Sequence, residues 1–383
     1  MSAPWRLACG WITLFVVGTD LFIVSPLLPR IAAEWGLSVG MAGLSVTVFS
    51  LAYLIGAPLF GQLADRFGRR RTLVACLLAF VIANLLTAIA PGFEWLLGAR
   101  VAAGVAASGV APLIYAGVGE AAPPARRASW MAIAVSGLLL ALSVGAPAGT
   151  IVASYLGWRA PFVILGLLSV GLAAANRRIW PADPRRSDHA GVPLPPLNYR
   201  LVGRRMLPTV LWATALYGVY TYLGTWLTLD GASTVQIARA IGFYGVGALV
   251  GTLLGGQLAD RFGTRRTMIV SAAGLAAGLA ALGAGAGSAS VDIILLVMSI
   301  FAQFYFPAQQ SGLARDFPER RALMMALNNS ALFLGISLGS VIGGEAMGLS
   351  GFNANAWVCA TIACLALIAI RTSNPPGRIA SSG

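Results

Sequence analysis

Apolar residues run in long stretches broken by short polar turns, and twelve of those stretches are near the length that crosses a bilayer as a helix, about 20 residues. They cover residues 7–29, 40–62, 72–90, 94–118, 129–153, 158–176, 206–228, 236–258, 267–287, 290–314, 321–348 and 353–371. One interval breaks the rhythm. Residues 177–205 are rich in proline and arginine, contain the single histidine, His189, and lack any apolar period, so they read as a linker. The pattern predicts an all-α membrane protein with a six-helix bundle over 1–176, a linker over 177–205 and a second six-helix bundle over 206–383.

The turn after the second stretch, Gly61-Gln62-Leu63-Ala64-Asp65-Arg66-Phe67-Gly68-Arg69-Arg70-Arg71-Thr72, returns after the eighth. The copy is Gly256-Gln257-Leu258-Ala259-Asp260-Arg261-Phe262-Gly263-Thr264-Arg265-Arg266-Thr267, offset throughout by 195 residues and changed only where Thr264 replaces Arg69. Other features repeat as well. Pro124-Ala125-Arg126-Arg127-Ala128 precedes the fifth stretch and Pro318-Glu319-Arg320-Arg321-Ala322 the eleventh. A ladder of small residues at Gly137, Ala141, Gly145 and Gly149 recurs as Ala331, Gly335, Gly339 and Gly343. Such ladders let helix backbones approach closely, and Pro147 inside the first should loosen its helix. The chain therefore reads as two copies of one unit.

The repeated turn resembles the signature loop between the second and third helices of major facilitator superfamily transporters, and its copy resembles the counterpart between the eighth and ninth. Arg100 followed by Gly104 is similar to that family's fourth-helix motif. Gly145-Ala146-Pro147-Ala148-Gly149 is similar to the fifth-helix motif of its exporter branches, with a departure in spacing from the fuller form. The resemblance covers nearly the whole chain and implies twelve transmembrane helices in two parallel six-helix pseudo-repeats, with a transport site between the halves at mid-membrane. It also implies that Gly61, Asp65, Arg66, Gly68, Arg70 and Arg71, with Gly256, Asp260, Arg261, Gly263, Arg265 and Arg266, form a conformational latch. Asp65 would then meet the start of the eleventh helix near Arg321, and Asp260 the start of the fifth near Arg127. The alternative, that these arginines only fix topology, stays open.

Composition agrees with a membrane protein: 58% of the 383 residues are hydrophobic and only 10% charged. The net charge of +13 comes from arginine, since the chain has no lysine. With the N-terminus placed in the cytoplasm, all arginines fall on cytoplasmic segments except Arg30, Arg159 and Arg239 outside and Arg100 within the membrane. That asymmetry puts both termini in the cytoplasm and makes the basic charge a topology signal and not a nucleic-acid surface; the expected location is a bacterial inner membrane. Cys9, Cys76, Cys359 and Cys364 lie in predicted helices without paired spacing and read as apolar fillers.

Two charges sit deep in apolar stretches, where they are costly without a reason. Asp20 lies in the first. Arg100 lies in the fourth and shares one face with Gly104, Ser108 and Tyr115. Burial and a nearby cation act on a carboxylate's proton affinity in opposite senses, so Asp20 can be poised to take up and release a proton. The pairing resembles proton-coupled drug exporters; the alternative is a structural ion pair that never titrates. Glu345 is a further acid in an apolar stretch.

The resemblance places the first, fourth, seventh and tenth helices around the substrate cavity. Thr19, Phe22, Ser108, Tyr115, Trp212, Tyr220, Gln303 and Gln310 are its candidate lining. Gln303 and Gln310 share one helical face and Tyr305 and Gln309 another, so only one pair can point fully inward. Trp212, Tyr217, Tyr220, Tyr222 and Trp226 spread over more than half the circumference of the seventh helix, so some of them must pack.

No phosphate-cradling glycine loop, metal-ligand cluster or nucleophile with a base is legible, so no cofactor, no metal and no enzymatic activity are expected. The expected function is secondary transport by a monomer: proton-coupled efflux of a small amphipathic organic compound such as a drug, antibiotic, sugar or nucleoside. The alternatives are import of a nutrient or vitamin, and a transporter-like receptor without flux.

Overall fold

All regular structure is helical in the computed structural model, which describes residues 3–123, 127–181, 199–285, 288–317 and 321–372. The first half comprises α1 (Ala3–Trp35), α2 (Val39–Phe67), α3 (Arg69–Ala88), α4 (Phe93–Ala121), α5 (Arg127–Leu140), a π-helical turn (Ala141–Gly145), α6 (Ala146–Leu156) and α7 (Ala160–Ile179). The second comprises α8 (Tyr199–Leu229), α9 (Thr234–Phe262), α10 (Thr264–Gly283), α11 (Ser288–Gln303), α12 (Tyr305–Asp316) and α13 (Arg321–Thr372). Among the described residues, ten helical stretches are long and apolar enough to cross a membrane. One of them, Leu323–Thr372, has the length of two crossings and breaks at Ser350 and Gly351, where Gly351 turns to φ 77°. The 31-residue α8 is not among the ten, because Thr209, Thr214, Thr221, Thr225, Thr228 and its tyrosines dilute its apolar run.

The breaks inside expected stretches trace to proline. Pro147 has no N–H to offer the carbonyl of Ser143, and the chain widens into the π-helical turn just before it. Pro307 likewise leaves Gln303 without its helical donor, and there α11 ends and α12 begins. The stretch read as linker is helical at both ends, to Ile179 and from Tyr199. Its centre, with His189, lies outside the described residues.

By contact the chain divides into two units, Met1–Gly191 with Tyr220–Val246, and Val192–Val219 with Gly247–Gly383. The later part of α8 and the first part of α9 therefore group by contact with the first six spans in this conformation. In the first unit α2 packs on α4, α3 on α4 and α7, and α1 on α5. The small-residue ladder, which runs from α5 through the π-helical turn into α6, is the seam against α1. A Cβ on Gly137 would lie 2.5 Å from the Trp11 carbonyl, one on Gly145 2.1 Å from the Thr19 hydroxyl, and one on Gly149 2.0 Å from Ile23. In the second unit the repeated ladder does the same against α8, with Gly335 on Val210 and Ala213 and Gly339 on Thr214 and Gly218. Backbones this close gain dispersion contacts that larger side chains would forbid.

Candidate functional site

Asp20 stands near the middle of α1 and Arg100 in the first third of α4, both fully buried. Nη1 of Arg100 donates to Oδ1 of Asp20 at 2.9 Å and to Oδ2 at 3.0 Å. The guanidinium lies 4.4 Å from the ring centroid of Phe49 and 5.8 Å from that of Phe162, so aromatic faces supply part of its solvation. Its Nε is buried and has no hydrogen-bond partner among the described residues. Gly104, one turn after Arg100, makes this enclosure possible. A Cβ there would sit 2.3 Å from the backbone oxygen of Phe49, so α2 and α4 touch backbone to backbone and carry the Phe49 ring onto the guanidinium. The pair is neutral as a unit. A proton added to Asp20 would leave an uncompensated guanidinium in an apolar shell, so protonation must be linked to separation or rearrangement of the pair.

Farther along α1, Pro26 has no N–H and leaves the carbonyl of Phe22 without a helical donor. The hydroxyl of Tyr220 fills that role at 3.2 Å, and the Phe22 and Tyr220 rings meet edge to face at 6.1 Å. Ser25 points the other way, its hydroxyl lying 2.6 Å from the carbonyl oxygen of Tyr220 and 2.7 Å from that of Thr221. Gly224 admits the Pro26 backbone, with 2.7 Å between a built Cβ and the Pro26 Cα. Tyr220 also stands against Tyr244 of α9, centroids 5.0 Å apart. Phe22 and Tyr220 thus come together as a clasp within the first unit. Thr19 is buried, its hydroxyl donating to the Phe15 carbonyl at 2.8 Å beneath Gly145. The widened turn before Pro147 faces Gly245, whose built Cβ would meet the Ser143 Cα at 2.4 Å.

The remaining candidate lining residues are not gathered with this group. Ser108 is buried under Gly56 and donates to the Val105 carbonyl at 2.7 Å. Tyr115 is half-buried farther along α4. In the second unit Trp212 is buried, its indole N–H donating to the Ala302 carbonyl at 2.9 Å and its ring stacked on Tyr305 at 4.9 Å. Of the two glutamine and tyrosine pairs, Tyr305 and Gln309 are the ones held against α8. The Tyr305 hydroxyl meets Thr209 at 3.1 Å, Thr209 donates to Asn328 at 2.7 Å, and Gln309 donates to the Arg205 carbonyl at 2.7 Å. Gln303 is buried beside the α11–α12 break and Gln310 is half-buried. Glu345 is exposed.

The two signature turns share one geometry. Gly68 has φ 90° and ψ 142°, Gly263 φ 90° and ψ 145°, a region that costs side-chain-bearing residues heavily. Each glycine N–H closes the preceding helix, on the carbonyls of Ala64 and Ala259, and each glycine carbonyl accepts from the N–H and hydroxyl of Thr72 or Thr267. Arg66 lies over Phe67 at 5.2 Å and Arg261 over Phe262 at 5.4 Å. Arg70 donates to the Trp180 carbonyl at 3.4 Å and Arg265 to the Arg371 carbonyl. Arg71, Asp260 and Arg266 are exposed, and a side chain on Gly256 would meet nothing within 4 Å. The surroundings of Gly61 and the side chains of Asp65, Arg127 and Arg321 lie outside the described residues.

Sequence reasoning missed Ser25, Phe49 and Phe162. The position of Pro26, four residues after Phe22, was the signal for an orphaned carbonyl and for something nearby to cap it.

Membrane-length helices, a buried pair of opposite charges and a basic turn that occurs twice are features of an integral membrane transporter. The sequence matches the Major Facilitator Superfamily profile over residues 10–243 and again over 229–383, and the chain belongs to that family. Among relatives, it is 30% identical to the MFS-type transporter YceJ of Bacillus subtilis over 86% of each chain. It is 29% identical to a chloramphenicol resistance protein of Streptomyces lividans, over 69% of this chain and 68% of that one. It is 28% identical to the inner membrane transport protein YdhP of Escherichia coli over 97% and 96%. The fold is shared with a bacterial homolog of the human lysosomal transporter Spinster in an inward-facing, occupied conformation, at a TM-score of 0.80 and 18% identity over 97% of both chains.

Proposed function

We propose that the chain is a proton-coupled exporter of a small amphipathic organic compound. The observation that carries this is the Asp20–Arg100 pair, two opposite charges hydrogen-bonded to each other and both fully buried in membrane-length helices. A purely structural bridge between α1 and α4 needs no charge, because a well-packed apolar pair of similar volume is often at least as stable. In a transporter the pair earns its place if Asp20 takes a proton on one side and gives it up on the other, with Arg100 as the alternating counter-ion. The resistance function named for the Streptomyces relative supports export of a drug-like compound, and the Escherichia relative supports a bacterial inner membrane.

In this reading the halves 1–176 and 206–383 move as bodies joined by 177–205, with both termini cytoplasmic and a monomer as the working unit. Phe22, Tyr220 and Thr19, with Ser108, Tyr115, Trp212, Gln303 and Gln310, contribute to the substrate path. The arginines and aspartates of the two signature turns latch the closed cytoplasmic side. The test is proton flux into liposomes holding the purified protein and an internal pH-sensitive dye, while drugs, sugars, nucleosides and vitamins are added in turn. Substrate-dependent proton movement that disappears in Asp20→Asn is the expected result, and its sign separates export from import. Unchanged gradient-driven flux in folded Asp20→Asn removes Asp20 from the mechanism.

A further inference from the structure

Each unit carries a recess beside its signature turn, and the two are built from repeat-related positions. The first is lined by Arg6, Arg69, Arg70, Leu73, Gly117 and Glu120 among others. The second is lined by Thr264, Arg265, Met268, Gly312 and Arg315, which lie 195 residues after Arg69, Arg70, Leu73, Gly117 and Glu120, and by Arg205 and Asp316. The charges have moved between repeats while their balance has not. Three arginines face one acid in each recess: Glu120 pairs with Arg69 at 2.6 Å in the first, and Asp316 pairs with Arg205 in the second. Each recess also holds a buried guanidinium Nε, of Arg6 and of Arg205, with no hydrogen-bond partner among the described residues. A buried donor on a cation without an acceptor is costly, and here it adjoins an open volume with surplus positive charge.

We propose that both recesses bind a phosphate-bearing anion, which accepts from Arg6 in the first and from Arg205 in the second. Phosphate oxygens match guanidinium donors in geometry and charge. The recesses lie at helix ends beside basic turns, the level at which lipid headgroups meet a membrane protein, so a phospholipid and a free phosphate share the required chemistry. Nothing in this depends on the transported compound or on Asp20.

Native mass spectrometry of the delipidated full chain, titrated with phosphatidylglycerol, phosphatidylcholine or inorganic phosphate, tests the proposal. Phosphatidylglycerol should be retained in preference to phosphatidylcholine, at two sites per chain. Arg6→Gln and Arg205→Gln should each weaken retention about five-fold at one site. Because Arg205 and Arg315 both pair with Asp316, Arg265→Gln serves as a second variant for that recess. Displacement of the lipid by inorganic phosphate assigns the sites to a soluble phosphate; retention of the lipid against it assigns them to a headgroup. Equal retention of the two lipids together with no binding of inorganic phosphate by the unaltered protein, or no change in retention in Arg6→Gln and Arg265→Gln, overturns the proposal.

Discussion

The hydroxyl of Tyr220 completes a helix to which it does not belong: it donates to the carbonyl of Phe22, the group that Pro26 strips of its helical donor. Ser25 answers from α1 toward the carbonyls of Tyr220 and Thr221, so the two helices exchange hydrogen bonds where one of them is weakened by proline. Removing a hydroxyl from such a site leaves a buried carbonyl unsatisfied, which costs about 1–3 kcal/mol. Tyr220→Phe should therefore lower the midpoint of thermal unfolding in detergent, while Tyr155→Phe, at a position 82% exposed, should leave it unchanged. Equal midpoints for Tyr220→Phe and the unaltered protein would show that the contact contributes nothing to stability.

The enclosure of Asp20 and Arg100 predicts strong coupling between them. Truncating one partner of a buried ion pair strands the other charge and costs about 3–5 kcal/mol. Arg100→Leu and Asp20→Leu should each be markedly less stable than the unaltered protein, with the double variant close to it. Thermal unfolding of the four proteins in one detergent gives the interaction energy by a double-mutant cycle. Additive losses would mean that the two side chains do not depend on each other.

The signature turns predict a contrast between neighbouring glycines. Gly263 occupies φ 90° and ψ 145°, and placing a side chain in that region costs about 1–3 kcal/mol. Gly256, seven residues earlier, sits in a helix with open space around it, where alanine is the better helix former by about 1 kcal/mol. Gly263→Ala should lower stability and Gly256→Ala should not. Gly68→Ala should behave like Gly263→Ala, since its backbone angles match. A Gly263→Ala protein as stable as Gly256→Ala would place the strain elsewhere.

How far the site can be read from the chain follows from what kind of signal each residue leaves. Asp20 and Arg100 stand out because a charge in an apolar run is rare, and the repeat of Asp65 to Thr72 stands out because it recurs with one change, Thr264 for Arg69. The membrane-length apolar stretches were legible from length and apolarity, except where proline interrupts them at Pro147 and Pro307 and where α8 trades apolar residues for threonine and tyrosine. Phe49 and Phe162 were invisible, since a phenylalanine over a guanidinium looks in sequence like any phenylalanine in a core. Symmetry of the repeat also hid the association of Tyr220–Val246 with the first six spans. Its links include hydroxyl-to-carbonyl pairs at Tyr220 and Thr221 and close glycine contacts at Gly224 and Gly245, which no periodicity encodes.

The dependence of the ion pair on helix approach yields a last expectation. Arg100 is covered by Phe49 only because Gly104 lets α2 and α4 meet, with the Phe49 carbonyl 2.3 Å from where a Cβ would be. Backbone cannot swing aside as a flexible side chain can, so Gly104→Ala must push the helices apart at a cost of about 1–3 kcal/mol. The push moves the Phe49 ring off the guanidinium and opens the shell around Asp20 to water. Gly98→Ala, on the same helix with nothing within 4 Å, controls for the change in composition. Hydrogen exchange of α2 and α4 amides, read by mass spectrometry, should rise in Gly104→Ala and stay level in Gly98→Ala. The removal of Phe49 should act alike: Phe49→Leu keeps the backbone contact but loses the cation–π face, so it should lower thermal stability without the same rise in exchange along α4. If Gly104→Ala leaves both exchange and stability unchanged, close backbone approach is not what encloses the pair.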